Sequence, residues 1–347
     1  MTEGGPSPSR WPRGRGRRLL AVGLLCLLIA PGTWWRAPEP VPDGRDILTI
    51  RPVAATEPAG WPAPLRLRGV WQLDSPNSGF GGYSALVALP GGRLAAYSDR
   101  GTSLVFTEPG RGPPAPRFAD FPLDDPVRWF RDVEAATRDP ETGQQWIAIE
   151  TNNLVARLGA DGRPEAHGYP PEMQDWPYNR GAEAMLRLPD GRFLVLGEST
   201  ANLGSTAGPG LLYPGDPLSG DPALRFRFVP PSGYRPTDMA SLPDGRVLIL
   251  LRSLAPAIPP FAAMLVVADP ARIRAGEDWP WARLARISPP LPRDNYEGLA
   301  TRPAGDGGTE IWIISDDNNA GMQRTLLIGL YWDGSRPSDV PRETAPG

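Results

Sequence analysis

Lysine is absent from the 347 residues, and cysteine and histidine occur once each, as Cys26 and His167. A single cysteine excludes an internal disulfide framework and any cysteine-based zinc site. A single histidine leaves a Ser-His-Asp arrangement with His167 or nothing, and no G-x-S-x-G elbow accompanies it, so ordinary serine-esterase chemistry is disfavoured. All 36 basic residues are therefore arginine, set against 39 acids for a net charge of −3. That balance offers no basic surface for a phosphate backbone, and nucleic acid is not an expected partner. Chemistry is left to carboxylates, arginine, asparagine, serine and tyrosine.

Proline and glycine, by contrast, are plentiful at 45 and 40 residues without any collagen-like period. They imply many turns between short strands. The N-terminus departs from this texture. Arg13, Arg15, Arg17 and Arg18 precede an apolar run from Leu19 to Ala30 that ends at Pro31 and Gly32, which is the order of an export signal. Twelve helical residues span roughly 18 Å against a hydrocarbon core of about 30 Å, so a cleaved or uncleaved signal is expected ahead of a full transmembrane helix. Extension through Trp34 and Trp35 would make residues 19–35 an inner-membrane anchor. Residues 1–36 are read as signal or anchor, 37–64 as linker and first strand, 65–335 as the main domain and 336–347 as a flexible tail. A periplasmic or extracellular location follows, and a monomer is expected.

A repeat occupies the main domain. Its clearest copies run Ser84–Asp99, Glu183–Glu198 and Asp238–Arg252, with looser ones opening at Glu134 and Glu297. Each is an alternating strand, a Pro-Asp-Gly or Pro-Gly-Gly turn and a second apolar strand, which is the signature of a hairpin. The opening residues lie 50, 49, 55 and 59 apart, a period suited to one four-stranded blade per copy. The fold class expected is an all-β β-propeller with few helices. A strand over Thr325–Trp332, paired with strands near Leu65–Leu73, is expected to close the ring as a sixth blade. Five or seven blades and a β-sandwich are the alternatives.

In a propeller the innermost strand of each blade opens onto a common mouth. Four copies begin with an acid: Glu134, Glu183, Asp238 and Glu297. A second polar set closes the following strands: Asp99-Arg100, Glu150 with Asn152 and Asn153, Glu198, Arg252 and Asp316-Asp317-Asn318. Hairpin geometry puts both sets on one rim. So many carboxylates repel unless arginine or a hard cation neutralises them, and Ca²⁺ is the cation suited to irregular oxygen ligands. Glu134, Glu183, Asp238, Glu297 and Asp316 are the expected metal ligands, with Glu183, Asp238 and Glu297 also the catalytic candidates. Each acid alone is equally explained as a hairpin-end residue or an ion-pair partner of Arg100, Arg180 or Arg252. His167, in Ala166-His-Gly-Tyr-Pro-Pro, reads as a surface loop residue, and Trp176, Tyr178 and Tyr234 as ligand walls or core.

Three segments carry a family resemblance: Ser84-Ala-Leu with Tyr97-Ser-Asp-Arg-Gly101, Arg235-Pro-Thr-Asp-Met with Leu242-Pro-Asp-Gly-Arg-Val, and Asp294-Asn-Tyr-Glu-Gly-Leu-Ala300 with Ile311-Trp-Ile-Ile-Ser-Asp-Asp-Asn318. Together they resemble the bacterial phytase-like domain (esterase-like activity of phytase) over roughly residues 66–332. The resemblance implies hydrolysis of a phosphoester or ester in the cell envelope, acting on a small anionic or ester substrate. Glu150-Thr and Leu251-Arg252 stand where a Glu-Arg pair is usual in that family, which leaves Arg100, Arg180 and Arg252, with Asn318, as substrate-binding candidates. A Ca²⁺-assisted hydrolase is the expectation. A non-catalytic envelope scaffold and a lactonase-like hydrolase are the alternatives.

Overall fold

The computed structural model describes residues 16, 18–25, 41–121, 132–177, 181–197, 207–321 and 323–335. The chain divides into a unit of residues 1–39 with 319–322 and a unit of residues 40–318 with 323–347. In the first, residues 18–25 are helical and exposed, and among the described residues no helix is long and apolar enough to cross a membrane. Cys26, Trp34, Trp35 and most of the expected signal lie outside the described residues, as do Tyr178, Arg180, Glu198 and the tail.

Among the described residues the second unit holds twenty-one strands. They begin with β1 (Thr49–Val53) and β2 (Leu65–Asp74). Four four-stranded antiparallel blades follow in chain order. The first is β3 (Tyr83–Leu89), β4 (Arg93–Ser98), β5 (Thr102–Thr107) and β6 (Arg117–Asp120). The second is β7 (Val133–Arg138), β8 (Gln145–Ile149), β9 (Leu154–Leu158) and β10 (Pro164–Gly168). The third is β11 (Ala182–Arg187), β12 (Phe193–Gly197), β13 (Gly208–Tyr213) and β14 (Leu224–Phe228). The fourth is β15 (Tyr234–Ser241), β16 (Val247–Leu254), β17 (Phe261–Ala268) and β18 (Trp281–Ile287). The last three strands, β19 (Asn295–Pro303), β20 (Thr309–Asp316) and β21 (Leu326–Trp332), join the first two in one sheet of order β1-β2-β21-β20-β19.

The fold is therefore a β-propeller of five blades, not six. The expected pairing of β21 with β2 is present, Leu65 opposite Trp332 and Gln72 opposite Leu326. But β21 also pairs with β20, so the two chain ends complete the blade opened at Glu297. Among the described residues there is no sixth innermost strand on which another blade could be built, because the repeat supplies five.

Each blade buries both faces, which is why its central strands read as unbroken apolar runs. Alternate residues serve opposite neighbours. In β16, Leu248 and Leu250 pack with Leu299, Ile311 and Ile313 of the closing blade, whereas Val247, Ile249 and Leu251 pack with Leu194 and Leu196 of the third. Trp312 and Ile314 face the other way, onto Tyr83, Leu86 and Leu94 of the first blade. Two further clusters fill the remaining blade interfaces.

An ion-pair network also joins the closing blade to the first, at the end of the channel where β19 finishes. Glu108, fully buried, accepts from Arg302 at 2.5 Å and from Arg111. Glu310 accepts from Arg68 at 2.7 Å and from Arg111 at 3.1 Å. Arg302 also donates to the carbonyls of Leu89 and Arg93 at 3.3 and 3.0 Å.

Candidate functional site

The innermost strands β3, β7, β11, β15 and β19 are neighbours around the channel, and each carries one extra residue near its start. The inserted residues are Ser84, Glu134, Glu183, Thr237 and Glu297. A bulge of this kind interrupts the ladder and re-aims a side chain. Three of the five are carboxylates, Glu134, Glu183 and Glu297, whose charges act on one another at one mouth, and Ser84 hydrogen-bonds Glu297 there; Thr237 instead donates to the carbonyl of Leu250 at 3.4 Å.

Asp238 is set apart from that ring by one residue. It occupies the position after the bulge, where the other blades have Ala85, Ala135, Ala184 and Gly298. Space there is scarce: a Cβ on Gly298 would meet the Cγ2 of Ile314 at 2.6 Å. The fully buried Asp238 instead accepts backbone N–H groups from three strands, Leu299 at 2.7 Å, Leu86 at 3.3 Å and Met239 at 2.8 Å. Burial still holds its carboxyl well above the ordinary range. The geometry ties β15 to β3 and β19 and makes Asp238 a positioning residue, not a ligand at the mouth. Asp238→Ala is expected to strand two inter-blade N–H groups and to lower stability by about 2–4 kcal/mol, with Ca²⁺ binding unchanged. Urea unfolding and calcium titration of the variant check both halves.

At the mouth the polar residues fall into two groups. In one, Arg252 of β16 donates to Asn295 Oδ1 at 2.9 Å and pairs with Glu297 at 3.2 Å, while Asn295 donates to Glu297 at 2.9 Å and to Asp316 at 3.2 Å. In the other, Asp132, Glu134 and Glu150 each place a carboxylate oxygen within 4.8 Å of the other two. Thr151 donates to Asp132 at 2.5 Å. Glu183 stands beside Glu150, and each shifts the other's proton affinity.

Electrostatics sharpen the division. Burial raises Glu134 well above the ordinary carboxylate range, and the charges of Glu297, Glu183, Asp132 and Glu150 add to the effect. Burial and then Glu150 do the same to Glu183, with Arg252 opposing. Burial lifts Glu297, while Arg252 pulls it back down. Asp99, at the end of β4, is pushed up to about 6 by burial, partly countered by Arg100. Asp316 is raised by burial and by Glu297. Arg252 is therefore the guanidinium shared by much of the ring, as the charges of Glu297, Glu183, Glu134 and Asp316 hold it protonated against its own burial.

Other sequence candidates land elsewhere. Arg100 approaches Asp317 at 3.4 Å and donates to the carbonyl of Phe80, at the rim but engaged. Asn318 has a left-handed φ of 47° and donates to Gln323 at 2.7 Å. His167 is at the surface but lies in β10, the outermost strand of its blade, and not in a loop. Trp176 is core, packed with Met173, Phe193 and Tyr213, and Tyr234 packs against the interface of the third and fourth blades. Asp132 was not among the candidates, although Asp132-x-Glu134 and Asn295-x-Glu297 share a spacing that puts both residues on one side of a strand.

No protein of curated function matches the chain. Among solved structures, a glutaminyl cyclase of Myxococcus xanthus is 11% identical with a TM-score of 0.44, the match covering 77% of this chain and 96% of that one. A Thermus thermophilus protein described as a putative oxidoreductase (glucose dehydrogenase) is 14% identical with a TM-score of 0.38, over 76% and 99%. Hydrazine synthase of Kuenenia stuttgartiensis is 12% identical with a TM-score of 0.35, over 68% and 77%. Residues 78–319, most of the propeller including every residue of the mouth, match the family described as Phytase-like, esterase-like activity of phytase. The chain belongs to that Phytase-like family.

Proposed function

We propose that the mouth is the active site of a Ca²⁺-assisted hydrolase of a phosphoester or ester, in an exported protein. The observation that carries this reading is the pairing of two unlike groups on one rim: a triad of clustered carboxylates, and an arginine fixed by Asn295 and Glu297. Family membership and the basic-then-apolar N-terminus support a hydrolase of the cell envelope. Oxygen ligands bind Ca²⁺ at roughly 2.3–2.6 Å, so donors sharing one ion lie up to about 5 Å apart, and Asp132, Glu134 and Glu150 meet that spacing. These three would hold the ion, with Glu183 beside them. When bound, the ion would polarise the carbonyl or phosphoryl oxygen of the substrate.

The chain's own residues supply the rest. Arg252, held in place, receives the substrate's anionic oxygen once the acids around it are neutralised. Glu183, kept protonated by burial, gives its proton to the leaving oxygen and regains one from the attacking water. Glu297 orients Arg252.

Ca²⁺ must displace the proton held by Glu134, so its affinity should rise with pH. A thermal-shift and calorimetric titration is expected to show stabilisation of about 2.7 kcal/mol at a hundredfold excess over Kd. Affinity should fall roughly tenfold or more in Glu134→Gln, together with hydrolysis of p-nitrophenyl phosphate or p-nitrophenyl acetate. A protein indifferent to Ca²⁺ and inert toward both compounds would instead be the non-catalytic scaffold.

A further inference from the structure

Beside Arg252 the fold spends solvent-exposed surface on apolar side chains. Leu254 and Ile258 are 77% and 80% exposed, Leu254 at the end of β16 and Ile258 in the connection to β17, residues 255–260. That connection carries three prolines, Pro256, Pro259 and Pro260, and is pinned by the Ala255 N–H to the Pro260 carbonyl at 2.9 Å and the Ala257 N–H to the Ala255 carbonyl at 2.8 Å. Proline removes chain entropy that a mobile loop would keep. Two large apolar groups are therefore held in water on a stiff support, a placement that core packing does not explain.

Register fixes their relation to the site. Leu254 is two residues beyond Arg252 on β16, so both side chains leave the same face of the strand, about 7 Å apart along it. Leu254 lies opposite Phe261, whose ring centroid is 6.0 Å from the Arg252 guanidinium. Leu254, paired with the buried Phe261, thus forms an exposed apolar ledge rising outward from the arginine, and Ile258 stands on the connection beyond it. The inner end of the ledge carries the Arg252 guanidinium, paired with Glu297 at 3.2 Å and open to an anionic oxygen once the acids around it are neutralised, and the outer end is hydrocarbon. An occupant matched to both ends has an anionic head and an apolar tail.

We propose that this ledge binds the alkyl or acyl portion of the substrate whose charged head is held at Arg252. The substrate class is then an amphiphilic phosphoester or ester, one head with a hydrocarbon chain, as opposed to a polyol carrying several phosphates. The proposal rests on the hydrolase reading for what happens to the head, but the binding of the tail is measurable separately.

Calorimetry in the presence of Ca²⁺, with octyl phosphate kept below its micelle concentration and methyl phosphate as the two probes, tests it. The full chain is expected to bind octyl phosphate at least roughly tenfold more tightly. The double variant Leu254→Ser, Ile258→Ser should lose that margin while keeping its methyl phosphate affinity and its melting temperature. Leu254→Met with Ile258→Val should retain the margin. Equal binding of the two probes, or a margin that survives the serine variant, overturns the proposal. So does a serine-sensitive association with phosphatidylglycerol vesicles in the absence of any octyl phosphate margin, which would make the ledge a membrane contact. A serine-sensitive margin with no turnover of either probe would uphold the ledge and overturn the hydrolase reading.

Discussion

Glu108→Ala is expected to lower the unfolding free energy by about 3 kcal/mol. Glu108 is fully buried and is the partner of both Arg302 and Arg111. Truncation leaves the Arg302 guanidinium, whose side chain is only 19% exposed, with Glu310 at 3.4 Å as its remaining carboxylate among the described residues. A largely buried guanidinium that has lost its nearest carboxylate costs more than the intact pair contributes. Arg51 and Asp74 supply the contrast. They approach to 2.5 Å, but both side chains are more than half exposed, and Asp74→Asn is expected to cost less than about 0.5 kcal/mol. Urea midpoints at unchanged slope measure both. Similar losses for the two variants would show that the network at the first and closing blades is no more than a surface arrangement.

Arg252→Met should make the protein depend on divalent cations for its stability. With the guanidinium gone, Glu297 and Asp316 retain the Asn295 amide between them, and Glu134 and Glu183 lose the positive charge that opposed their protonation. The sign of the pH effect follows. Carboxyls whose native pKa lies above the unfolded value bind more protons when folded, so stability falls as pH rises from the ordinary carboxylate value toward the raised one. Removing Arg252 raises those native values further. Relative to the parent, the variant is expected to lose about 2–4 kcal/mol at neutral pH without Ca²⁺, less near a pH of about 4, and to recover part of the loss when Ca²⁺ is added. Denaturation at the two pH values, with Ca²⁺ and with chelator, reads all three effects. A loss independent of both pH and calcium would mean that Arg252 contributes packing against Phe261 and not charge.

The hairpin repeat was legible because each blade reuses one strand-turn-strand unit, and the turn is its most regular part. Counting back from that turn resolves what alignment on acids did not. The bulged residue lies six before the turn proline in every copy: Ser84 before Pro90, Glu134 before Pro140, Glu183 before Pro189, Thr237 before Pro243 and Glu297 before Pro303. By that count the fourth copy contributes Thr237, and Asp238 is the residue that follows. Acid identity misled because a buried Asp satisfying N–H groups and an Asp at a rim are the same letter. Asp132 was missed for the converse reason: it precedes the bulge and belongs to no repeating position, since its counterparts include Gly82, Gly181 and Asn295. The blade count depended on whether β21 inserts between β2 and β20, a long-range pairing that local pattern does not specify.

The closing blade has a consequence for biosynthesis. Its strand β2 is made near the beginning of the propeller and its partner β21 at the end. During translation at roughly 5–20 residues per second, β2 emerges long before the strand that flanks it. Until β21 arrives, β20 and β2 have no strand between them, and no continuous sheet joins the two chain ends. The mouth is therefore expected to be complete only once β21 has paired with β2 and β20. A nascent or C-terminally shortened chain can carry every residue of the site and still not possess the site.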